Sequence, residues 1–363
     1  MSEEEKMMQD APVHKRRKRY SGTHPHKYSE KYKELNPEKY KEDVEKIIGQ
    51  GKTPAGTHIS ICVKEILEVL RIQPGEIGLD CTLGYGGHTG KMLECLEGKG
   101  HMYATDVDPI ESVKTKERLA KRGFGEEILT IKHLNFANID EVADNGEKFD
   151  FVLADLGVSS MQIDNPERGF TFKQDGPLDL RMDPTRGKSA AERLHEMTQD
   201  EIEGMLIDNA DEPNADRIAK AIVKEKRKGV KITSTQQLYH IIEDAIESLP
   251  GRQSISKEDR KTEVRKSCQR CFQALRIDVN SEYEVLFSLL DKLPLVLSPG
   301  GRVAILTFHS GEDRLVKNAF RYGKKEGLYS EIAEDPIRPS KEECYINPRA
   351  HSAKLRYAIR AAE

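Results

Sequence analysis

The stretch DCTLGYGGHT, residues 80–89, decides the fold. It follows a short apolar run, Ile77 to Asp80, that is typical of a strand, and it leads into helical periodicity from about Thr89 to Leu96. Glycines at such a strand-to-helix turn let the backbone approach a ligand closely, because a Cβ would collide with it. The segment therefore predicts a ligand-binding turn at the edge of an α/β sheet.

Two nucleotide-binding motifs fit this turn poorly. A P-loop needs four residues between its glycines and a Ser or Thr after the lysine, but five residues separate Gly84 from Gly90 and Met92 follows the lysine. A dinucleotide fingerprint matches Gly84 and Gly86, but Thr89 stands at its third glycine. We therefore expect this turn to bind a different kind of ligand, with contacts at Gly84, Gly86 and Gly87.

Residues at the ends of the expected strands favour S-adenosylmethionine. Asp80 ends the first strand, where a carboxylate would attract the ammonium group of that cofactor and repel a pyrophosphate. Asp106 ends the second strand, placed to accept hydrogen bonds from both ribose hydroxyls, with Asp108 as the nearby alternative. Phe136 follows the third strand and is suited to lie against adenine, and Asp155 ends the fourth. Ligands of open α/β sheets bind at this edge.

Alternating helix and strand signals from Thr57 onward predict an α/β domain with a mostly parallel sheet. The expected strands are residues 77–80, 101–106, 128–133, 149–155, 301–308 and 354–360. Between the fourth and fifth strands the pattern is helical from Ser189 to about Leu249, with capping boxes starting at Thr198 and Ser234. A helical insertion therefore interrupts the sheet domain.

Residues 1–57 differ in composition from the rest of the chain. They hold 13 basic and 10 acidic residues, whereas the 363-residue chain has a net charge of −4, which excludes a basic nucleic-acid coat protein. Interleaved tyrosines suit RNA contact, and a solvated tail is an equal alternative. We expect a basic, mostly extended arm with a short helix near residues 38–48.

Composition also limits the location and the metal content of the protein. No apolar run approaches the length of about 18 residues that a membrane helix needs, and the first residues lack a secretory h-region. We therefore expect a cytoplasmic protein with no membrane association. Six cysteines are too few for a disulfide framework, and Cys268 and Cys271 form a lone CxxC without the second pair typical of zinc sites, so no metal is expected.

The polar segment after the fourth strand is the expected acceptor site. An exocyclic amine is a weak nucleophile and needs hydrogen-bond acceptors and a near-attack geometry, which Asp155 with Ser159 or Ser160 could supply. Methylation at a pyrimidine carbon would need a cysteine nucleophile, and residues 150–190 contain none. His309, after the fifth strand, is a candidate proton relay or substrate contact, with a structural histidine as the equal alternative.

A basic segment near the C-terminus, residues 347–356, has two interpretations. It could contact phosphates, or it could be a solvated strand edge. The sequence favours neither.

Five longer motifs carry a family resemblance. They are DCTLGYGGHT, ERGFTFKQDGPLDLRMDPTRG, FQALRIDVNSE, SPGGRVAILTFHSGEDRLVK and NPRAHSAKLR. Over residues 58–360 the chain resembles the bacterial 16S rRNA (cytosine-N4)-methyltransferases of the MraW/RsmH family. The resemblance implies a class I (Rossmann-like) S-adenosylmethionine-dependent methyltransferase with an inserted α-helical domain, acting on a cytidine of the decoding centre in 16S rRNA of the small ribosomal subunit. The cofactor contacts that it implies are Gly86, Gly87, His88, Asp106, Phe136, Asp155 and Gln162.

Departures from the family pattern indicate a divergent, N-terminally extended member. Gly311 stands where the family usually has Leu before the Glu of FHSLEDR, and RKSCQRCF, residues 265–272, replaces the usual HPATRTF stretch. We expect an arm at 1–57, a methyltransferase core at 58–164 and 270–363, and a substrate-recognition insertion at 165–269. The alternatives are a same-fold methyltransferase for another RNA or protein amino group, and a non-catalytic ribosome-assembly factor.

Overall fold

The computed structural model describes residues 60–143, 146–251 and 254–362, so the arm and its expected short helix lie outside the described residues. Seven strands form one sheet in the order β3-β2-β1-β4-β5-β7-β6. The strands are β1 Ile77–Asp80, β2 His101–Asp106, β3 Leu129–His133, β4 Phe149–Asp155, β5 Leu297–Thr307, β6 Tyr329–Ile332 and β7 Lys354–Arg360. This sheet confirms the α/β domain with a mostly parallel sheet that the alternating pattern predicts.

Helices cover the sheet and form the insertion. They are α1 Val63–Leu70, α2 Gly87–Leu96, α3 Pro109–Lys121, α4 Ser160–Asp164, α5 Ala190–Glu196, α6 Gln199–Ala210, α7 Ala215–Arg227, α8 Thr235–Glu247, α9 Lys257–Asn280, α10 Glu282–Val296, α11 Ser310–Lys325 and α12 Lys341–Ile346. In the described ranges, no helix has both the length and the apolar character needed to cross a bilayer.

The sheet brings the expected site residues to one edge. Strands β3, β2, β1, β4 and β5 are parallel, and only the β5–β7 and β7–β6 pairs are antiparallel. The carboxyl ends of the parallel strands therefore meet at the same edge, where Asp80, Asp106 and Asp155 end β1, β2 and β4. Apolar clusters on both faces bury Leu79 and Phe151 and hold the strands in register.

The fifth strand begins earlier than expected. The sequence predicts this strand from residue 301, but β5 starts at Leu297. Leu297 pairs with Phe149 and Arg302 pairs with Phe151, so the Pro-Gly segment forms a bulge inside the strand. The strand start expected at residue 301 was wrong, because Leu297 already pairs with Phe149 ahead of this bulge.

The inserted helices pack around an apolar cluster of their own. Ile202, Ile218 and Ile242 are buried there, and the capping boxes expected at Thr198 and Ser234 are formed. The boundary that we expected at residue 269 lies inside α9, which continues from the insertion to the core without a break. Cys268 and Cys271 both belong to this cluster, and burial raises the pKa of Cys268 to about 12. The CxxC thus fills the helical core.

Tyr283 explains the glycine at position 311. A Cβ built on Gly311 would lie 2.0 Å from the Tyr283 hydroxyl oxygen, so a leucine cannot fit while Tyr283 stays in place. The same hydroxyl donates a hydrogen bond of 3.3 Å to the Asn209 carbonyl on α6. Tyr283 thus crosses over Gly311 to tie the core to the insertion. In this chain the contact leaves no room for a leucine at position 311.

We predict that Gly311→Leu lowers the free energy of unfolding by about 1–3 kcal/mol, because the new side chain must displace Tyr283. Adding Tyr283→Ala should recover part of that loss, and a double-mutant cycle by chemical denaturation measures the coupling. Gly204→Ala is the control, since its Cβ meets no atom within 4 Å and helix propensity favours it. Equal stability of Gly311→Leu and the wild type would contradict the contact.

Candidate active site

The glycine turn is tied to the end of the neighbouring strand. Gly84 and Gly86 have φ angles of +47° and +74°, in the left-handed region that favours glycine. The Gly84 amide donates to Asp106 Oδ2 at 2.7 Å, and the Gly86 amide donates to the Leu83 carbonyl at 2.7 Å. Gly87 opens α2, and a Cβ there would lie 2.0 Å from the Ser60 hydroxyl oxygen. The turn therefore has a fixed shape before any ligand binds.

Asp80 braces this turn from beneath. It is fully buried, its Oδ1 accepts from the Thr82 amide at 3.0 Å, and its Oδ2 accepts from the Thr89 hydroxyl at 2.7 Å. Burial raises the pKa of Asp80, and the hydrogen bonds from Thr89 and Thr82 oppose that shift. We expected an anion presented to the ligand. The structure buries this carboxylate completely and places a threonine donor on each of its oxygens, and its contact with a ligand stays a prediction.

The structure separates the two acids proposed for the ribose. Asp106 accepts one backbone hydrogen bond on each oxygen, from Asp108 at 2.8 Å and from Gly84 at 2.7 Å, which leaves acceptor capacity on both. Asp108 accepts from two amides of α3, from Gln162 Nε2 at 3.1 Å and from Arg168 Nη1 at 2.7 Å. Asp108 is therefore an anchor for other protein groups.

The two carboxyl groups also differ in pKa. Burial raises the pKa of Asp106 to about 6 against the backbone donors that lower it. Burial acts the same way on Asp108, but the hydrogen bond and charge of Arg168 outweigh it and lower its pKa. Of the two acids, Asp106 matches the expectation for a ligand-facing carboxylate.

His88 and Asp155 form a close pair at the end of β4. His88 Nε2 lies 2.9 Å from the Ile61 carbonyl, which only accepts, so Nε2 carries a hydrogen. His88 Nδ1 then faces Asp155 Oδ2 at 3.4 Å. The Asp155 amide donates to Thr82 Oγ1 at 2.7 Å, and this bond fixes the strand end. His88 thus has its orientation set on one side and meets the carboxylate on the other.

The Asp155 carboxyl group is a stronger base than an ordinary aspartate. Surrounding protein desolvates it and raises its pKa to about 6, although 29% of the side chain remains exposed. His88 opposes this shift, and the charges of Asp80 and Glu312 add to it. The group is therefore both accessible and poised to accept a proton near neutral pH.

The expected acceptor serines begin a short helix. Ser159 caps α4: its hydroxyl oxygen accepts from the Gln162 amide at 3.2 Å, and Gln162 Oε1 accepts from the Ser159 amide at 2.8 Å. The side-chain Nε2 of Gln162 donates a hydrogen bond to Asp108 Oδ2. Ser160 is the first residue of α4 and is half-buried. The structure gives Ser159 and Gln162 a role in shaping the loop.

His309 and Phe136 lie at the same edge of the sheet, after β5 and β3. His309 caps α11, where its Nδ1 accepts from the Glu312 amide at 3.4 Å and its Nε2 lies 3.1 Å from Glu312 Oε1. Its side chain is 11% exposed, so this geometry matches the structural alternative for His309. Phe136 begins a 3₁₀ turn after β3 and stays half-buried, packed against the core.

The sequence interpretation missed two residues that hold the acceptor loop. Arg168 Nη2 donates to the carbonyls of Met182 at 2.7 Å and Arg181 at 3.2 Å, and joins them to Asp108. Asn280, at the end of α9, accepts from the Met182 amide at 2.7 Å and donates to the Leu180 carbonyl at 2.8 Å. Leu180 has a φ of +64°, a strained value for leucine. Both residues lie inside the motifs of the family resemblance. Their spacing in the sequence does not show which backbone groups they bind.

The C-terminal basic segment serves the core. Arg356 is 3% exposed and donates to Asp313 Oδ1 at 2.7 Å, while Lys354 donates to Asp313 Oδ2 at 2.9 Å. Arg349 pairs with Asp164 at the end of α4 at 3.0 Å. Arg349, Lys354 and Arg356 thus each bind a carboxylate of the protein, and contact of this segment with phosphates stays a prediction.

Comparisons with known proteins give a family model and several similar proteins. A family model described as the MraW methylase family matches residues 55–361. A relative from Lachnoclostridium phytofermentans, ribosomal RNA small subunit methyltransferase H 1, is 63% identical over 96% of this chain and 94% of its own. A relative from Clostridioides difficile, ribosomal RNA small subunit methyltransferase H, is 38% identical over 83% of this chain and 98% of its own. A solved methyltransferase homolog from Pyrococcus horikoshii has a TM-score of 0.39 at 15% identity, over 84% of this chain and 68% of that chain.

The first relative also bears on the arm. Because its match covers 96% of the chain, it includes most of residues 1–57. The arm is therefore shared with that relative.

The raised pKa of Asp155 predicts a pH-dependent cost in stability. A carboxyl whose pKa is higher in the folded state destabilises the fold when ionised, and the cost disappears as the pH falls below its ordinary value of 3.8. Asp155→Asn should therefore raise the free energy of unfolding by about 1–3 kcal/mol at about pH 8, and by little near pH 4. Denaturant titrations at both pH values measure this.

Asp313→Asn is the matched control. Burial raises the pKa of Asp313, but Arg356 and Lys354 outweigh that effect and lower it, so its replacement should destabilise the protein at about pH 8. A stability loss in Asp155→Asn at that pH would refute the assignment of a desolvated base.

Proposed function

Because the chain belongs to the MraW methylase family, we propose that it methylates the exocyclic N4 amine of a cytidine in the decoding centre of 16S rRNA. The names of its relatives support the coarser activity, methylation of small-subunit ribosomal RNA. That the methyl acceptor is the N4 amine of a cytidine is our more specific proposal. The observation that carries it is Asp155, a desolvated and accessible carboxylate at the end of β4, beside the acceptor loop.

The residues at the sheet edge suit S-adenosylmethionine as methyl donor. Asp106 keeps acceptor capacity on both carboxylate oxygens, which fits two ribose hydroxyls, and the preformed turn at Gly84, Gly86 and Gly87 would hold the amino-acid part. Phe136 would lie against the adenine. When bound, this cofactor supplies a methyl group on a positively charged sulfur, a strong electrophile. The reaction that we propose uses no metal ion.

Asp155 has the properties that the acceptor amine requires. The lone pair of a cytosine amine is delocalised into the ring, so the amine must be held in line by hydrogen-bond acceptors. An oxygen of Asp155 can accept from the amine, and the amide of Asp155, bound to Thr82 Oγ1, fixes the strand end that carries the carboxylate. As the nitrogen gains a methyl group it must lose one proton. With a pKa of about 6, Asp155 can receive that proton and pass it to water.

The acceptor loop would position the base. Arg168 and Asn280 set the shape of residues 180–182, and we propose that a cytidine splayed out of the small subunit enters beside them. Ser160 could contact the cytosine, whereas Ser159 and His309 support the loop and α11. With a ribosomal substrate, the enzyme that we propose would work in the cytoplasm.

Substitutions of the two ligand-facing acids should separate catalysis from cofactor binding. Asp155→Asn should lower kcat by about 10²–10⁴-fold with a small change in the KM for RNA, because it removes the proton acceptor. Asp106→Asn should mainly raise the KM for S-adenosylmethionine. Asp140→Asn, at an exposed pair with Lys292, is the control and should leave both constants unchanged. Full turnover by Asp155→Asn would remove that residue from the mechanism.

The product identifies the acceptor atom. Small subunits from a strain that lacks the gene are incubated with the protein and labelled S-adenosylmethionine, and the digested rRNA is examined by mass spectrometry. We expect N4-methylcytidine. Another methylated base would mean that the insertion has redirected the fold, and no label on subunits or naked rRNA would favour a protein acceptor or an assembly role.

A further inference from the structure

One face of helix α7 in the insertion is strongly basic. Residues 215–231 contain seven basic and two acidic residues. Four of the basic residues, Arg217, Lys220, Lys224 and Arg227, follow a three-four-three spacing along the helix. At 3.6 residues per turn, their side chains leave the axis within about 80° of one another. We call these four residues the α7 basic face.

The opposite side of α7 is apolar and faces the insertion core. Ala215, Ile218, Ala219 and Ile222 are all buried there. All four residues of the α7 basic face are exposed, as is Lys231 beyond the helix end. These core contacts fix the orientation of the helix about its axis. The α7 basic face, on the opposite side, therefore points to solvent.

Most of these cations have no acidic partner. Lys220 pairs with Asp216 at 3.4 Å, but no carboxylate of the described ranges lies within 4.0 Å of the charged groups of Arg217, Lys224, Arg227 or Lys231. Lys226, on another side of the helix, shows the contrast: its ammonium donates to the carbonyls of Leu194 and Met197. Lys226 has a packing role, whereas three of the four residues of the α7 basic face have no carboxylate partner among the described residues.

Stabilisation of the helix dipole explains only part of this pattern. Lys224 and Arg227 lie in the last turn, where cations are favourable by about 0.3–1 kcal/mol. Arg217 lies in the first turn, where a cation is unfavourable, and Lys231 lies beyond the helix. Unpaired cations therefore extend from Arg217 in the first turn of α7 to Lys231 beyond its end. This arrangement suits an anionic partner that lies along the helix, over a length of about 20 Å.

The end of α7 leads directly to the acceptor loop. The Leu178 amide donates to the Thr233 carbonyl at 2.9 Å, and the Thr235 amide donates to the Gly176 carbonyl at 2.9 Å. These bonds join the chain just after Lys231 to the loop that Arg168 and Asn280 shape. A polyanion on the α7 basic face would thus run beside the proposed acceptor site.

We propose that the α7 basic face binds the phosphate backbone of the ribosomal RNA next to the target nucleotide, which rests on the proposed function. Lysines and arginines on phosphates fix register and orientation and carry little base information. The face therefore docks the substrate and leaves selection of the base to the acceptor loop. It takes over the role that the sequence suggested for residues 347–356, whose Lys354 and Arg356 are bound to Asp313.

A triple variant tests this proposal. Arg217→Gln, Lys224→Gln and Arg227→Gln remove three unpaired charges and keep good helix formers. Binding to unmethylated small subunits and to a 16S rRNA transcript is measured by filter retention at several KCl concentrations. We expect binding to weaken about 10–100-fold at about 0.1 M salt, and the slope of log affinity against log salt to fall by about 2. The KM for subunits should rise while kcat and S-adenosylmethionine affinity stay unchanged.

Two matched variants control for net charge and for folding. Lys64→Gln, Lys114→Gln and Lys116→Gln remove the same charge from exposed sites of the core and should change binding less than about twofold. The charge-keeping triple Arg217→Lys, Lys224→Arg and Arg227→Lys should bind nearly as the wild type does. Thermal unfolding checks that all variants fold.

The outcomes separate this proposal from the proposed function. Unchanged binding and salt slope in the Gln triple would overturn the docking surface even if the wild type makes N4-methylcytidine. Weaker binding to subunits with unchanged binding to the transcript would also overturn it, since a ribosomal protein would then be the partner. Salt-dependent binding that needs this face, without methyl transfer by the wild type, would support the surface and refute the activity.

Discussion

The site depends on hydrogen bonds that cross the ends of three adjacent parallel strands. Thr82 binds the buried Asp80 carboxylate of β1 and receives the amide of Asp155 on β4, while Asp106 of β2 receives the amide of Gly84. Because the bonds of Thr82 to Asp155 and of Gly84 to Asp106 join the turn after β1 to the ends of β4 and β2, the glycine turn cannot shift without moving the acids beside it. The scaffold for cofactor and acceptor is thus built before either ligand arrives.

This arrangement carries a cost that the rest of the fold offsets. Burial raises the pKa of Asp80, Asp106 and Asp155, and the charge of Asp80 adds to the rise for the other two, so their ionised forms destabilise the protein. Apolar clusters on both faces of the sheet outweigh that cost. Desolvation raises the pKa of Asp155. The same burial that lowers the stability of the protein therefore makes this carboxylate a better proton acceptor.

The insertion and the core are joined by polar contacts at a few points. Asn280 and Arg168 hold the acceptor loop, and Tyr283 links α10 to α6 across Gly311. Helix α9 runs through the junction, so a rigid element carries the insertion's position to the loop. A docking face on α7 would thereby be held at a constant distance from Asp155, which is what a large RNA substrate requires.

Sequence alone determined the fold class, the glycine turn, and the acids at the strand ends, because these follow from local periodicity and from the rule that parallel strands end at one edge. It also determined the capping boxes at Thr198 and Ser234, which act over three residues. It did not determine where β5 begins, since a bulge and a turn use the same residues.

Only the tertiary structure decided which polar groups are free. Asp108 is an anchor because Arg168, 60 residues away, reaches it, and Asp80 is covered by its threonines. Arg356 is bound to Asp313, whereas Arg217 has no carboxylate partner in the described ranges, although both are arginines in basic segments. Availability for a ligand depends on contacts between residues far apart in the chain. Spacing along the chain carries no record of those contacts.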